Sequence, residues 1–123
     1  MANGIVTGDP LLTGTDTLRS IEGIKGSVLA DTYDARGFGS NSLNVGSVGT
    51  YNDFQGMAGD DTIIGNGNTR LNYDTSMLAV VVDLAKGYSD ARIDNERSTP
   101  LYDLSLGRDQ FSGVSEIRGS YYD

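Results

Sequence analysis

The stretch of sequence that decides the predicted fold is Gly56-Met57-Ala58-Gly59-Asp60-Asp61-Thr62-Ile63-Ile64-Gly65. It matches the nonapeptide G-G-x-G-x-D-x-U-x, in which U is a large apolar residue, at Gly56, Gly59, Asp61 and Ile63, and it departs from it at Met57. In such a turn the glycines let the backbone bend tightly, the sixth-position carboxylate suits a hard cation, and the apolar residue points into a narrow core. The stretch therefore predicts stacked turns with a cation between neighbours.

The composition of the chain agrees with turns and excludes several kinds of chemistry. The 123 residues carry a net charge of −8, with fourteen Asp against three Glu, and include 17 Gly. Asp and Gly favour turns, and Asp also favours cation sites. Because an acidic surface repels phosphate and anionic lipid, we expect no nucleic-acid partner and no membrane insertion. The absence of Cys and His excludes disulfides, thiolate or imidazole metal sites, and Cys or His nucleophiles.

The two ends of the chain share an internal repeat with a constant offset of 93 residues. The matching positions in the first copy are Gly14, Asp16, Leu18, Ile21, Ile24, Gly26 and Ser27, and those in the second are Gly107, Asp109, Phe111, Val114, Ile117, Gly119 and Ser120. We therefore predict that residues 1–123 are a single module, with one repeat over about 14–106 and the start of the next over 107–123. Degenerate nonapeptides place Asp16, Asp31 and Asp109 at the sixth position of further turns.

The remaining segments predict short strands and two loops. The alternation of Leu78, Val80, Val82 and Leu84 predicts a strand. Segments 34–50 and 86–103 are polar and lack periodicity, so we predict loops there. The predicted fold is all-β, a right-handed parallel β-roll or β-helix with Gly/Asp/Asn-rich turns and two loop excursions. The predicted core consists of Leu18, Ile21, Ile24, Tyr33, Phe54, Ile63, Leu71, Val80, Val82, Leu84, Phe111, Val114 and Ile117.

The order of the motifs resembles that in the hemolysin-type calcium-binding (RTX) repeat proteins. The segments that carry the resemblance are G-T-D-T-L at 14–18, A-D-T-Y-D at 30–34, G-M-A-G-D-D-T-I at 56–63 and A-V-V-V-D-L-A at 79–85. They are similar to the long repeats of very large secreted, adhesin-like bacterial proteins. The resemblance implies a calcium-loaded β-roll, neighbouring repeats of the same parent chain as partners, export through a type I system, and a location outside the cell or at its surface.

The predicted metal ligands for Ca²⁺ are Asp61, Asp31, Asp60, Asp16 and Asp109, with Gly56 and Gly59 forming the turn. For each Asp the alternative is a turn residue whose carboxylate accepts hydrogen bonds from backbone amides. The predicted function is a calcium-stabilised structural repeat that folds on calcium binding outside the cell. The alternative is an adhesin module in which loops 34–50 and 86–103 bind glycan or a cell surface. We expect no enzymatic activity, because adjacent carboxylates on a strand, such as Asp60 and Asp61, point to opposite faces.

Overall fold

The structure, a computed structural model, describes residues 4–7, 15–18, 21–39, 48–91 and 106–122, with only the backbone for 4–7, 15–18 and 91. These ranges contain nine strands and no helix, which confirms the all-β prediction. The strands are β1 (Gly4–Thr7), β2 (Thr15–Leu18), β3 (Gly23–Lys25), β4 (Thr32–Asp34), β5 (Asn52–Gln55), β6 (Thr62–Asn72), β7 (Val80–Asp83), β8 (Tyr88–Ala91) and β9 (Arg108–Arg118).

Parallel pairing arranges part of the chain in two stacks. In the first stack, β4 pairs with the first part of β6, which pairs with the first part of β9. In the second stack, β3, β5, the second part of β6 and the second part of β9 follow one another. Strands β6 and β9 pass from the first stack to the second near Gly67 and Gly113, whose φ angles are 86° and 65°. The chain therefore alternates between the stacks as it advances.

Antiparallel strands extend the first stack at both ends. Strand β1 pairs with β4 and β2 pairs with β1, while β8 pairs with β9 and β7 pairs with β8. The resulting order is β2-β1-β4-β6-β9-β8-β7, so the sheet is mixed and, over the described residues, open. The pairings do not show a parallel β-roll along the whole chain.

The alternating residues of the stacked strands form the core. In the first stack Tyr33, Ile63 and Phe111 are in register and buried, and in the second Phe54 and Leu71 are in register and buried. The rings of Tyr33 and Phe54 stack at 4.8 Å between centroids with an interplanar angle of 8°, which joins the two stacks. These five residues confirm the core predicted from the nonapeptides, and Ile24, Val80, Val82, Val114 and Ile117 pack half-buried against it.

Three details differ from the sequence predictions. Ile21 and Leu84 are 36% and 54% exposed, because each lies just outside a strand, where alternation no longer fixes the face of a side chain. The predicted loop 86–103 contains β8, whose four residues are too short and polar for periodicity to reveal. Buried Phe38, Tyr73 and Leu106 were not predicted as core. The side chain of Leu18 lies outside the described residues.

Candidate functional site: a buried aspartate ladder

Three of the predicted aspartates stack beside one another at the start of the first stack. Asp31 and Asp61 directly precede β4 and β6, and Asp109 precedes the residue of β9 that pairs with Thr62. Their exposed fractions are 4%, 1% and 2% respectively. We call Asp31, Asp61 and Asp109 the aspartate ladder. Side chains of this type are almost never so deeply buried unless they are paired, so each needs a specific partner.

The partners of the aspartate ladder are mainly backbone amides. The Asp31 N–H donates to Asp61 Oδ1 at 2.9 Å, and the Asp61 N–H donates to Asp109 Oδ1 at 3.1 Å. Asp31 accepts within its own turn, where the Ser27 N–H donates to Asp31 Oδ2 at 2.6 Å. Each of these carboxylates therefore satisfies a backbone donor that faces the core, and two of them do so between neighbouring strands.

The second carboxylate oxygens of Asp61 and Asp109 differ in their surroundings. Asp109 Oδ2 accepts hydrogen bonds from the hydroxyls of Tyr73 and Ser89, both at 3.1 Å, and these two hydroxyls are 2.8 Å apart. Asp61 Oδ2 is buried and has no hydrogen-bond partner. An unpaired buried carboxylate oxygen is costly, so it must be neutralised by a proton or by a cation.

Burial sets the electrostatics of the aspartate ladder. It raises the pKa of Asp61 to about 8, against the Asp31 N–H that favours the charged form, and the Asp109 carboxylate adds to the rise by repulsion. Burial also raises the pKa of Asp109 to about 6, although the Asp61 N–H and the two hydroxyls stabilise its charge. Near neutral pH and without a cation, Asp61 therefore carries a proton.

Gly56 and Gly59 are required by close packing. A Cβ on Gly56 would lie 1.9 Å from Asp61 Oδ2, and a Cβ on Gly59 would lie 2.5 Å from the carbonyl carbon of Leu29 in the neighbouring turn. Gly59 also has a φ of 99°, which side chains disfavour. Gly56 thus leaves room for the Asp61 carboxylate against its own turn, and Gly59 lets the neighbouring turn approach closely.

Met57, the departure from the nonapeptide, lies in a strained conformation. Its φ is 77°, in the left-handed region that glycine adopts without cost, and it is the one non-glycine residue with positive φ in the described ranges. The pattern has glycine at this position. The backbone of the turn therefore keeps the geometry that the pattern requires although the side chain disfavours it.

The remaining predicted ligands lie apart from the aspartate ladder. Asp60 is exposed, and its Oδ1 accepts a hydrogen bond from the Arg108 N–H at 2.9 Å. Asp16 lies in β2 opposite Val6, so its backbone is not paired beside Asp31, and its side chain is outside the described residues. Within the described ranges, no group of three or more Asp or Glu side chains has the arrangement of a metal site.

Sequence reasoning missed the residues that complete the interior polar network. Tyr73 follows β6, and Ser89 lies in the segment predicted as a loop. Asn52, which is fully buried, accepts hydrogen bonds at Oδ1 from the hydroxyls of Tyr33 and Thr69 at 2.9 and 2.8 Å. The signal available in the sequence for Asn52 is its place two residues before the apolar Phe54, the same spacing as Asp61 to Ile63, and this spacing does not identify its partners.

The described residues form an all-β fold whose interior contains the aspartate ladder and its hydrogen-bond partners. Comparisons of the chain with protein-family models, with curated proteins and with solved structures gave no match. Over the described residues, no helix is long and apolar enough to cross a membrane. The interpretation of function therefore rests on the geometry.

Proposed function

We propose that the chain is a structural repeat module, a unit that stacks on further copies of itself in a longer solenoid-like array. The observation that carries this proposal is the position of Ile24 and Ile117. These residues are 93 residues apart, the period of the internal repeat, and both lie in the second stack in the column that also holds Phe54 and Leu71. Equivalent residues of successive repeats thus share one column.

The open end of the second stack supports the same proposal. Val114 and Ile117 are half-buried on β9, and no strand of the described residues covers the outer edge of its second part. At the other end, Ile24 is equally half-buried on β3, which pairs with β5 through Gly23, Ile24 and Lys25. In a following repeat, the strand equivalent to β5 would pair with Glu116, Ile117 and Arg118 as β5 pairs with Gly23, Ile24 and Lys25. Such an array gains stability from each interface between neighbours.

A chain extended by one period tests the proposal. At an offset of 93 residues, Asp123 corresponds to Ala30, so residues 1–123 followed directly by residues 31–123 form two repeats in phase. We expect this two-repeat chain to unfold in urea in one transition with a higher midpoint than the single chain. The control joins two complete chains through a long Gly/Ser linker, which breaks the phase. Equal midpoints for all three proteins would contradict a stacking function.

Calcium is part of the proposal because of one atom, Asp61 Oδ2. A cation there would neutralise an oxygen that has no other partner. Calcium takes six to eight oxygen ligands, however, and Oδ1 of Asp61 and of Asp109 is already engaged by backbone amides. The described residues do not supply a full calcium shell around Asp61, so a proton is the competing solution.

Denaturation in chelator and in millimolar calcium distinguishes a calcium ion from a proton at Asp61 Oδ2. If calcium binds at Asp61, it stabilises the unchanged protein by mass action, magnesium does not, and the Asp61→Asn variant loses the effect. Equal stability in chelator and calcium would remove calcium from the proposal and leave the stacking module intact. Export through a type I system and a location outside the cell stay predictions from the resemblance to RTX proteins.

The adhesin alternative also stays a prediction. Residues 40–47 and 92–103, which make up much of loops 34–50 and 86–103, are outside the described residues. The described part of the second loop includes β8, which belongs to the sheet.

A further inference from the structure

The antiparallel strands β1 and β8 lie in the same register beside equivalent residues of the internal repeat, although the 93-residue offset itself takes β1 to residues 97–100 and not to β8. In the pairing of β1 with β2, Ile5, Val6 and Thr7 lie opposite Thr17, Asp16 and Thr15. A shift of the β2 residues by 93 gives Gln110, Asp109 and Arg108. These are the partners of Tyr88, Ser89 and Asp90 in the pairing of β8 with β9. Strand β8 therefore lies beside the start of the second repeat in the same register in which β1 lies beside the start of the first.

The outer edges of these two strands hold different partners in the same register. On β1, the three residues lie opposite β4, with Ile5 paired to Asp34, Val6 to Tyr33 and Thr7 to Thr32. On β8, the equivalent residues lie opposite β7, with Tyr88 paired to Asp83, Ser89 to Val82 and Asp90 to Val81. The segment Val81-Val82-Asp83 therefore takes the place that Thr32-Tyr33-Asp34 of a following repeat would take.

We propose that the outer edge of β8 is the docking edge for the β4 strand of the following repeat, and that β7 holds this edge only where no such repeat is present. The inference rests on the proposed stacking function and specifies the surface that it uses. The occupant is a second copy of this chain's own strand, because the first copy already shows β4 on the equivalent edge of β1.

Side-chain contacts fix β8 more firmly than β7. Ser89 is fully buried, and its hydroxyl forms hydrogen bonds with Tyr73 and Asp109. Asp90 forms an ion pair with Arg108 at 2.7 Å. On β7, Val82 is half-buried and Val81 is 44% exposed. Tyr33, which occupies the position equivalent to Val82 on the β1 edge, is fully buried. Strand β4 pairs with β6 on its far side, whereas β7 is the last strand of the order over the described residues, so Val82 lacks the neighbouring strand that Tyr33 has.

Exchange of β7 for β4 has a geometric consequence for an array. The first stack would gain four strands in each repeat, counting the antiparallel strand, and the second stack would gain three. Because each strand adds about 4.8 Å, the two stacks would advance unequally and an array would curve.

Engineered cysteine pairs test which strand lies on β8, since the chain has no native cysteine. Residues directly opposite in an antiparallel pair are close enough for a disulfide. In the single chain, Val81→Cys with Asp90→Cys should form a disulfide. When the same pair is placed in the first copy of the two-repeat chain, it should no longer form a disulfide. Asp90→Cys in the first copy should instead form a disulfide with Thr32→Cys in the second copy. Val81 and Thr32 are both exposed, so their substitutions disturb little of the core. Asp90→Cys removes the ion pair with Arg108, but it does so in the single chain and in the two-repeat chain alike, so the comparison between them holds.

Hydrogen exchange of the two-repeat chain without cysteines provides the second measurement. We expect the amides of β7 in the first copy to lose the protection that they have in the single chain. A disulfide between positions 81 and 90 that forms equally in both chains, with β7 amides equally protected, would overturn the inference. If the two-repeat chain is also more stable than the linker control, the stacking function survives that result, whereas equal stabilities would refute the stacking function itself.

Discussion

Replacement of Asp61 by Asn tests whether the aspartate ladder carries a proton. The ordinary pKa of Asp is 3.8 and that of Asp61 is about 8, so the folded chain holds a proton that the unfolded chain releases between these values. The resulting stabilisation is complete below pH 3.8 and is lost as the pH rises through about 8. At about 1.4 kcal/mol per pH unit, raising the pH from 6 to 8 should lower the free energy of unfolding by about 2 kcal/mol.

Asn at position 61 keeps the Oδ1 acceptor for the Asp31 N–H and does not titrate. The free energy of unfolding of the Asp61→Asn variant should therefore change by less than about 1 kcal/mol over the same pH interval. The assay is urea denaturation followed by far-UV circular dichroism, in chelator and at constant ionic strength, so that no divalent cation replaces the proton. Asp60→Asn, which removes the exposed neighbouring carboxylate, should keep most of the pH dependence of the unchanged protein, because repulsion from Asp60 is the smallest of the causes that raise the pKa of Asp61.

A parallel loss of stability in the Asp61→Asn variant and the unchanged protein between pH 6 and 8 would contradict a raised pKa at Asp61. A free energy of unfolding that rose from pH 6 to 8 in the unchanged protein would contradict it too, because a group whose pKa folding raises to about 8 can only lower the free energy of unfolding over that interval.

Three further predictions concern single side chains. Met57→Gly should raise the free energy of unfolding by about 0.5–1 kcal/mol, because glycine relieves the strain of a φ of 77° and loses part of that gain to a more flexible unfolded chain; a lower urea midpoint would contradict this. Gly56→Ala should destabilise by about 3 kcal/mol, because its Cβ would lie 1.9 Å from Asp61 Oδ2, whereas Gly23→Ala, whose Cβ meets nothing within 4 Å, is the control and should unfold almost as the parent does. Ser89→Ala should destabilise by about 1–2 kcal/mol by removing a buried hydroxyl from its hydrogen bonds, and a variant as stable as the parent in urea would show that these bonds contribute nothing.

The sequence predicted those parts of the fold that depend on local pattern. The nonapeptide gave the position of the apolar residue two places after each Asp, and Tyr33, Ile63 and Phe111 are buried in register as a result. The same spacing grouped Asp31, Asp61 and Asp109 as equivalent. A backbone turn and the residue that it points inward are set within a few positions, so single-sequence reasoning reaches them.

The antiparallel strands could not be predicted in this way. Strand β1 meets β4, and β8 meets β9, through pairings between residues far apart in sequence. Which strand adds to an open edge is decided by competition among all strands able to reach it, not by the residues of one strand. Ser89 illustrates the difficulty, because a short polar strand with one buried hydroxyl has the composition of a loop.

The site was predicted in part for a similar reason. Spacing placed Asp61 and not Asp60 at the sixth position, but it did not show that Asp60 is exposed and therefore lies apart from the aspartate ladder. Nor did it show that the Asp61 and Asp109 carboxylates serve backbone amides of a neighbouring turn, since that depends on how closely the turns stack. The glycines that permit this approach were recognised, but their contacts were not.

The hydrogen bonds of the aspartate ladder run in one direction along the chain, and this direction sets the order in which they form during synthesis. Each bond runs from the amide of an earlier Asp to the carboxylate of a later one, across 30 residues from Asp31 to Asp61 and 48 residues from Asp61 to Asp109. During synthesis from the N-terminus, an early turn therefore waits for the acceptor that a later turn brings. The buried amide of Asp31 is satisfied only after Asp61 has emerged, and that of Asp61 only after Asp109. The chain therefore closes its interior from the first turn towards the last, with each turn completed by the one that follows it.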